Sequence, residues 1–479
     1  MTPRLDAPAL GVLVAALDAV LVAATLLVIL KRRKSVPATL AWIFAIVAFP
    51  IAGCVAWFLL AAVRVRRVAR RKRLSAERVR RDLSALFGAR EEACPPGSSV
   101  LLLASRLTGL PTTGGNRLEL LTDAARAFAA KRDAILRATE SVWAEYYIVK
   151  DDETGNGFLD LLVDRARAGI DVRLLHDAVG SSGIDSRRLA ALRAAGGREA
   201  AFLPVNPFRR RWSTHLRNHR KLIVLDRKTA FTGGMNVGNE YSGLSLRRRK
   251  DGPWRDTHVR VDGPAAYEMA RVFVEDWTFQ TGERLLPPPP RVEETGEGSI
   301  VAVLPSEPAQ KENVSALAYF AGIAAARERC YLTSPYFVPD EPTVRALVST
   351  ALRGVDVRLL IPKRSDAPLV SLAAWWFFPP LLEAGVRVFA YGPAILHAKT
   401  MVVDGTVAVV GSANVDVRSF LHNFELGVLV HDARLGAEME RLFLHDLATS
   451  EEVTLRAWWR KGKAFRTKAG LARLLSPLL

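Results

Sequence analysis

The stretch Asn218-His219-Arg220-Lys221-Leu222-Ile223-Val224-Leu225-Asp226 has a counterpart 178 residues later in Leu396-His397-Ala398-Lys399-Thr400-Met401-Val402-Val403-Asp404. A His and a Lys two residues apart point to the same face of a strand, so both can meet one substrate. The apolar run after each pair buries the strand, and an Asp closes it. Beyond the first copy stand Gly233, Gly234 and Asn236; beyond the second, at the same displacement, stand Gly411, Ser412 and Asn414. A small pair removes side-chain bulk so that backbone can approach an anion, and the Asn adds an amide donor. One imidazole, one positive charge and one amide, presented twice, make a cradle for a tetrahedral phosphoryl group.

Two histidines facing one phosphorus atom divide the work. One attacks and forms a covalent phosphohistidine while the other protonates the departing alkoxide, and the roles then reverse. The near symmetry of the two copies leaves the order open. Two lysines already neutralise the phosphoryl oxygens, and no carboxylate cluster of the kind magnesium needs is present. Neither a metal nor a cofactor is expected.

Outward from this motif the chain repeats itself. Gly169-Ile170-Asp171-Val172-Arg173-Leu174-Leu175 returns as Gly354-Val355-Asp356-Val357-Arg358-Leu359-Leu360, each reading as a short buried strand behind a helical stretch. Glu145 to Val149 has a looser echo in Ser334 to Val338. Strands alternating with helices predict an α/β fold of two homologous lobes, residues 110–285 and 300–450, each a sheet flanked by helices, with a pseudo-two-fold active site between them. Residues 286–299, beginning Leu286-Pro287-Pro288-Pro289-Pro290, read as an extended surface linker. Residues 74–109 read as a connector.

The chain has 479 residues, 49% of them hydrophobic, which excludes a disordered chain, and three scattered cysteines, which exclude a disulfide framework or structural zinc. A net charge of +18 asks for a polyanionic partner, nucleic acid or an anionic lipid surface. The N-terminus favours lipid. Ala9 to Leu30 is apolar except for Asp18 and ends at Lys31-Arg32-Arg33-Lys34; Val36 to Val63 is apolar and is followed by Arg64, Arg66, Arg67, Arg70, Arg71, Lys72 and Arg73. Each run is long enough to span a bilayer. Residues 1–73 therefore read as two transmembrane helices with basic flanks, with Asp18 facing the partner helix or an interface and Pro50 making a kink rather than a break. A cleaved signal peptide fits less well, because a second span follows at once. The larger basic cluster after the second span favours cytoplasmic termini and lobes.

Three further stretches bear on lipid. Trp375-Trp376-Phe377-Phe378 ahead of Pro379-Pro380 reads as an interfacial wedge in preference to core. Residues 451–479 read as a basic amphipathic segment on the membrane, the alternative being a helix packed on the second lobe. Arg209 to Arg211 and Arg247 to Lys250 fit lipid-phosphate contacts and solvated faces equally well. Six histidines outside the motif (His176, His215, His258, His422, His431 and His445) are assigned to surface or packing, His258 least securely because it follows Asp256.

The doubled motif resembles the phospholipase D superfamily. Its flanks resemble bacterial cardiolipin synthases of the two-span type: Gly233-Gly234-Met235-Asn236-Val237-Gly238-Asn239-Glu240-Tyr241, Trp254-Arg255-Asp256-Thr257-His258, Gly411-Ser412-Ala413-Asn414-Val415-Asp416-Val417-Arg418-Ser419-Phe420 with Asn423-Phe424-Glu425, and Val36-Pro37-Ala38-Thr39-Leu40-Ala41-Trp42. Ala398 and Met235 depart from the residues common there without touching the chemistry. The resemblance implies that two phosphatidylglycerol molecules give cardiolipin and glycerol in a bacterial inner membrane. It further implies His219 as attacker and His397 as acid, with Asp256 and Glu425 behind the two histidines to fix their tautomers. Asp226 and Asp404 complete the catalytic motif with a mainly structural part. The implied partners are anionic phospholipids and the bilayer, with no nucleic acid. A phospholipase D that hands the phosphatidyl group to water shares the same intermediate. A nuclease-type phosphodiesterase suits the charge but not the two spans, and both complete His-Lys-Asn sets argue against a non-enzymatic scaffold.

Overall fold

The computed structural model describes residues 7–475, apart from 32–35, 61–62, 89–91, 95–97, 207–211, 214, 245–252, 291–297, 309 and 311. The chain divides into two compact units, Met1–Arg67 and Val68–Leu479.

In the first unit the helix Ala7–Leu30 is followed by Val36–Ala48 and Pro50–Leu60. The second apolar run bends at Phe49 but keeps helical hydrogen bonds on both sides of it: Phe49 N–H reaches Ala45 O at 3.0 Å, and Gly53 N–H reaches Phe49 O. Pro50 removes one donor there, and Gly53 permits the bend, since a Cβ on it would lie 2.7 Å from Ala45 O. Ile29, Ile46, Cys54 and Trp57 pack together inside the unit. Asp18 is half-buried, with Oδ1 shielded and without a hydrogen bond among the described residues. Leu17, Val20, Leu27, Leu30, Phe44, Val47, Phe49, Ile51 and Val55 face outward, exposed. Among the described residues no helix is long and apolar enough to cross a membrane; side chains at 7–11 and 58–66 lie outside the description.

The second unit repeats one plan twice. Ser141–Tyr146, Asp171–Asp177 and Arg198–Phe202 run parallel, and Lys221–Leu225, Thr229–Gly233 and His258–Asp262 continue the sheet antiparallel. Arg329–Thr333, Asp356–Pro362 and Arg387–Tyr391, followed by Thr400–Val403, Val407–Gly411 and Asn423–His431, do the same. The Asp171 and Asp356 strands are the repeated buried pair seen in the sequence. The looser echo is one residue out of step: Val149 bridges Val237 while Phe337 pairs with Val415. Helices cover the sheet, several started by an Asp that accepts a backbone N–H, as Asp123, Asp152 and Asp340 do.

The lobes are less separate than expected. Thr113–Leu121 pairs with His258–Asp262 and with Ser299–Ser306, which pairs with Asn423–His431. One sixteen-stranded sheet therefore runs through both lobes among the described residues. The proline run is held rather than loose at its start, since Pro287 is buried and its carbonyl accepts the Tyr267 hydroxyl at 3.1 Å. The 74–109 connector contains the end of a helix, Val63–Phe87, and a second helix, Ser99–Thr108, whose Val100, Leu101 and Ala104 sit in the second lobe's core.

The C-terminal segment packs on the second lobe, the reading set second above. Ala472 joins Val338, Val370 and Ala373, and Trp458 stacks on Trp375 at 6.4 Å. Of the expected aromatic wedge, Phe378 is fully buried and only Trp376 is exposed. Trp459, Leu471 and Leu474 remain exposed on the outer side.

Candidate active site

Each motif histidine is pinned by backbone from the other lobe. The two-residue strand Arg217–Asn218 pairs with Asn423 and Phe424, and His219 N–H donates to Phe424 O at 2.9 Å. In mirror fashion Arg255 bridges Leu396, and His397 N–H donates to Arg255 O at 2.8 Å. The histidines therefore stand just ahead of the strands Lys221–Leu225 and Thr400–Val403, not inside them as the spacing suggested.

The carboxylates cross in the same way. His219 Nδ1 lies 2.9 Å from Glu425 Oε2, and His397 Nδ1 lies 2.7 Å from Asp256 Oδ2. Each lobe's histidine is thus oriented by the other lobe's acid. A carboxylate holding Nδ1–H leaves the Nε2 lone pair free for chemistry. Glu425 is held in turn by Ser412 Oγ at 2.5 Å and Asn423 Nδ2 at 3.1 Å, and Asp256 Oδ1 accepts Thr257 N–H at 2.7 Å.

The small residues after the motif serve this arrangement. A Cβ on Gly234 would lie 2.0 Å from Asp256 Oδ1, and one on Gly411 would lie 2.7 Å from Gly427 Cα. Gly233 sits at φ 145° against His258, whose Nδ1 a Cβ would approach to 2.8 Å. The expected approach of backbone to an anion is replaced by room for the orienting carboxylate. Ser412, at the position matching Gly234, spends its hydroxyl on Glu425 instead.

Lys221 Nζ donates to His219 O at 2.7 Å, and Lys399 Nζ donates to His397 O. Burial pulls Lys221 down to about 7 and Lys399 to about 8, against the attraction of Glu425 and Asp256. Burial likewise pushes His219 down to about 4, with Glu425 opposing, and lowers His397, with Lys399 adding to the effect. Burial works to raise Glu425, yet His219 and Lys221 outweigh it and keep that carboxyl below its usual range. Lys399 acts on His219 and Lys221 acts on His397, so the two half-sites share one electrostatic environment.

The motif aspartates hold loops rather than imidazoles. Asp226 and Asp404 end their strands at the far side, where they tie down loops: Asp226 accepts N–H from Thr139, Glu140 and Ser141, and Asp404 from Arg327, Glu328 and Arg329. Burial would raise Asp226, but those three donors outweigh it and lower it. Asp226→Ala is expected to destabilise the fold by about 1–3 kcal/mol, read by thermal unfolding, while turnover per folded molecule stays within about threefold. A tenfold loss of turnover in the folded variant would return Asp226 to the chemistry. Asn236 Nδ2 donates to Tyr241 OH at 2.9 Å, and Asn414 N–H donates to Ser419 Oγ at 3.3 Å. Asn236 thereby braces the loop beside the site.

Aromatic walls were not anticipated. Tyr147 meets His219 edge-on at 4.9 Å, and Trp254 and Tyr241 lie 5.1 and 5.5 Å from His397. Tyr241 and Trp254 stood in the quoted motifs, but only the fold brings them to the second lobe's histidine. His258 is fully buried and accepts Met235 N–H at 3.4 Å, a packing role beside the site. Arg209–Arg211 and Arg247–Lys250 lie outside the described residues.

The family described as cardiolipin synthase, PLD-like domain, matches residues 132–277 and 319–447. The cardiolipin synthase of Geobacillus kaustophilus is 36% identical over 95% of this chain and 91% of its own length. The chain belongs to the cardiolipin synthase family. Cardiolipin synthase A of Pseudomonas aeruginosa is 39% identical over 78% of the chain and 76% of its own length. Residues 20–61 match a family described as phospholipase D-nuclease N-terminal. Phosphatidylserine synthase of Haemophilus influenzae superposes with a TM-score of 0.58 at 14% identity, over 80% of this chain and all of that one, which shows a shared fold.

Proposed function

We propose that this chain is a cardiolipin synthase that joins two phosphatidylglycerol molecules through a phosphatidyl-histidine at His219. The observation that carries the reading is the crossed pair of imidazole–carboxylate contacts, His219 to Glu425 and His397 to Asp256, with a lysine beside each. A histidine kept neutral, with Nδ1–H on Glu425, offers Nε2 as the attacking atom. Nε2 forms a bond to phosphorus, the bond from phosphorus to the glycerol oxygen breaks, and His397 Nε2 protonates that oxygen. Bound phosphodiester places a negative charge beside His397 and favours its cationic form. A hydroxyl of the second phosphatidylglycerol then loses its proton to His397 and attacks phosphorus, releasing His219. Lys221 and Lys399 neutralise the phosphoryl oxygens in both steps.

The N-terminal unit supports a bilayer location, because its helices leave many large apolar side chains exposed, among them Leu17, Val20, Leu30, Phe44, Phe49 and Ile51. We read residues 1–73 as a membrane hairpin of the bacterial inner membrane with the lobes at its cytoplasmic side, and the basic, Trp459-bearing outer side of the C-terminal helices as a contact to anionic headgroups.

The test is to incubate the purified full chain in vesicles of phosphatidylglycerol and identify products by mass. Cardiolipin and glycerol in equal amounts are expected; phosphatidic acid and glycerol with no cardiolipin would mean a hydrolase. The pH profile gives a second check. The lysine charge is present below about 7 for Lys221 and about 8 for Lys399 and is lost above those values. Accordingly kcat/KM is expected to fall as pH rises through that window; a profile flat from 7 to 9 would contradict the lysine role.

A further inference from the structure

Arg220 lies between His219 and Lys221, and its side chain enters the protein, fully buried. Its Nε donates to Glu425 O at 3.1 Å, and its Nη1 pairs with Asp276. Asp276 also takes Lys72 Nζ at 2.8 Å, and Lys72 reaches Glu307 as well. Lys72 belongs to the basic run that reads in the sequence as a membrane flank, yet it has no exposed surface. The carrier of Lys72 is the helix Val63–Phe87, anchored again by Arg80, which grips Glu275 through Nε at 2.5 Å and Nη2 at 2.9 Å.

Lys72 matches charge inside this buried cluster, between Asp276 and Glu307. Asp276 Oδ1 has Lys72 Nζ beside it at 2.8 Å and Oδ2 has Arg220 Nη1, so each of its oxygens faces one cation. Burial, with Asp276 adding to it, raises Glu145 well above the usual carboxyl range. Glu145 Oε1 in turn accepts Asn218 Nδ2, on the residue before His219. Lys72, Arg220 and Arg80 face Asp276, Glu307 and Glu275, three cations against three carboxylates. Removing Lys72 leaves two carboxylates competing for Arg220 in a fully buried place. Arg220 is the group that holds the Glu425 backbone, and Glu425 orients His219.

We propose that Lys72 is a positioning residue for the reaction: acting through Asp276 and Arg220, it sets the His219–Glu425 contact from beneath the motif strand. The proposal rests on the two-histidine reading above. A role confined to folding would lower the fraction of active molecules and leave turnover per active site unchanged, so active sites are counted first. The full chain in detergent–lipid micelles is given phosphorus-labelled phosphatidylglycerol, and the covalent label on the protein is measured beside steady-state turnover. Lys72→Met is expected to lose at least tenfold in kcat per labelled site with KM within twofold, and Lys72→Arg to recover most of it. If Lys72→Met does not accumulate, Lys72→Gln, which keeps a donor for Asp276 without the charge, is expected to lose at least threefold per site. Wild-type turnover per site in a folded Lys72→Met or Lys72→Gln variant overturns the proposal. His219→Ala runs in parallel: if it keeps its label, the two-histidine reading fails; if it is unlabelled while Lys72→Gln is normal, only the role of Lys72 fails.

Discussion

Replacing His219 by alanine is expected to abolish both the covalent phosphatidyl label and cardiolipin formation, with a loss of at least about 10⁴-fold in kcat. In the proposed scheme alanine removes the attacking group, and neither Lys221, committed to the His219 carbonyl, nor Glu425, on the far side of the ring, substitutes for it. His397→Ala is expected to differ in kind. It leaves the nucleophile and removes the acid, so the label should appear slowly from a substrate with a good leaving group while turnover of phosphatidylglycerol remains abolished. Label on the His219→Ala protein, or normal turnover in either variant, would remove the basis for the scheme. Both side chains are nearly buried and occupy small volumes, so the variants should fold; circular dichroism and membrane recovery check this.

The second large effect concerns the acids. Glu425→Gln keeps size and shape but offers an amide where His219 Nδ1–H requires an acceptor, and it can turn a donor toward the ring. The imidazole is then driven to the tautomer with the proton on Nε2, the atom that must attack. A loss on the order of 10²–10⁴-fold in kcat is expected, as for other buried carboxylate–histidine pairs. Asp256→Asn should do the same to His397. The crossing makes a sharper prediction: Glu425→Gln, in the second lobe, should suppress labelling at His219 in the first whatever the leaving group, whereas Asp256→Asn, in the first lobe, should slow labelling by phosphatidylglycerol, spare labelling from a substrate with a good leaving group, and impair transfer. If each acid variant instead impaired the histidine of its own lobe, the crossed geometry would be wrong.

What could be read from residue order was what short-range spacing encodes. His219 and Lys221 two apart, the apolar run to Leu225, and the second copy at His397 and Lys399 predicted buried strands ahead of a phosphoryl site, and the paired Asp171 and Asp356 strands predicted a doubled α/β plan. Asp256 and Glu425 were legible as orienting acids only by resemblance, since nothing in their spacing says which histidine they meet. The reason given for Gly234 was incomplete because the demand for a missing side chain came from Asp256, 22 residues away in sequence and 2.0 Å from the absent Cβ. Lys72 read as one more member of a basic flank, because a charge run gives no sign that one member turns inward. Trp375 and Phe378 looked like a wedge for the same reason: local pattern does not say that Trp458 will cover them.

From the order of residues alone came the duplicated lobes, the two histidines with their lysines, and the apolar N-terminus, all properties of neighbours along the chain that periodicity and composition report directly. The tertiary structure decided the rest: that each histidine takes its acid from the opposite lobe, that the two sheets merge through Thr113–Leu121 and Ser299–Ser306, and that Lys72 lies beneath the motif strand. Those are pairings between segments up to 235 residues apart, chosen by which surfaces bury together and which charges must then be matched, and no local stretch of sequence contains that information.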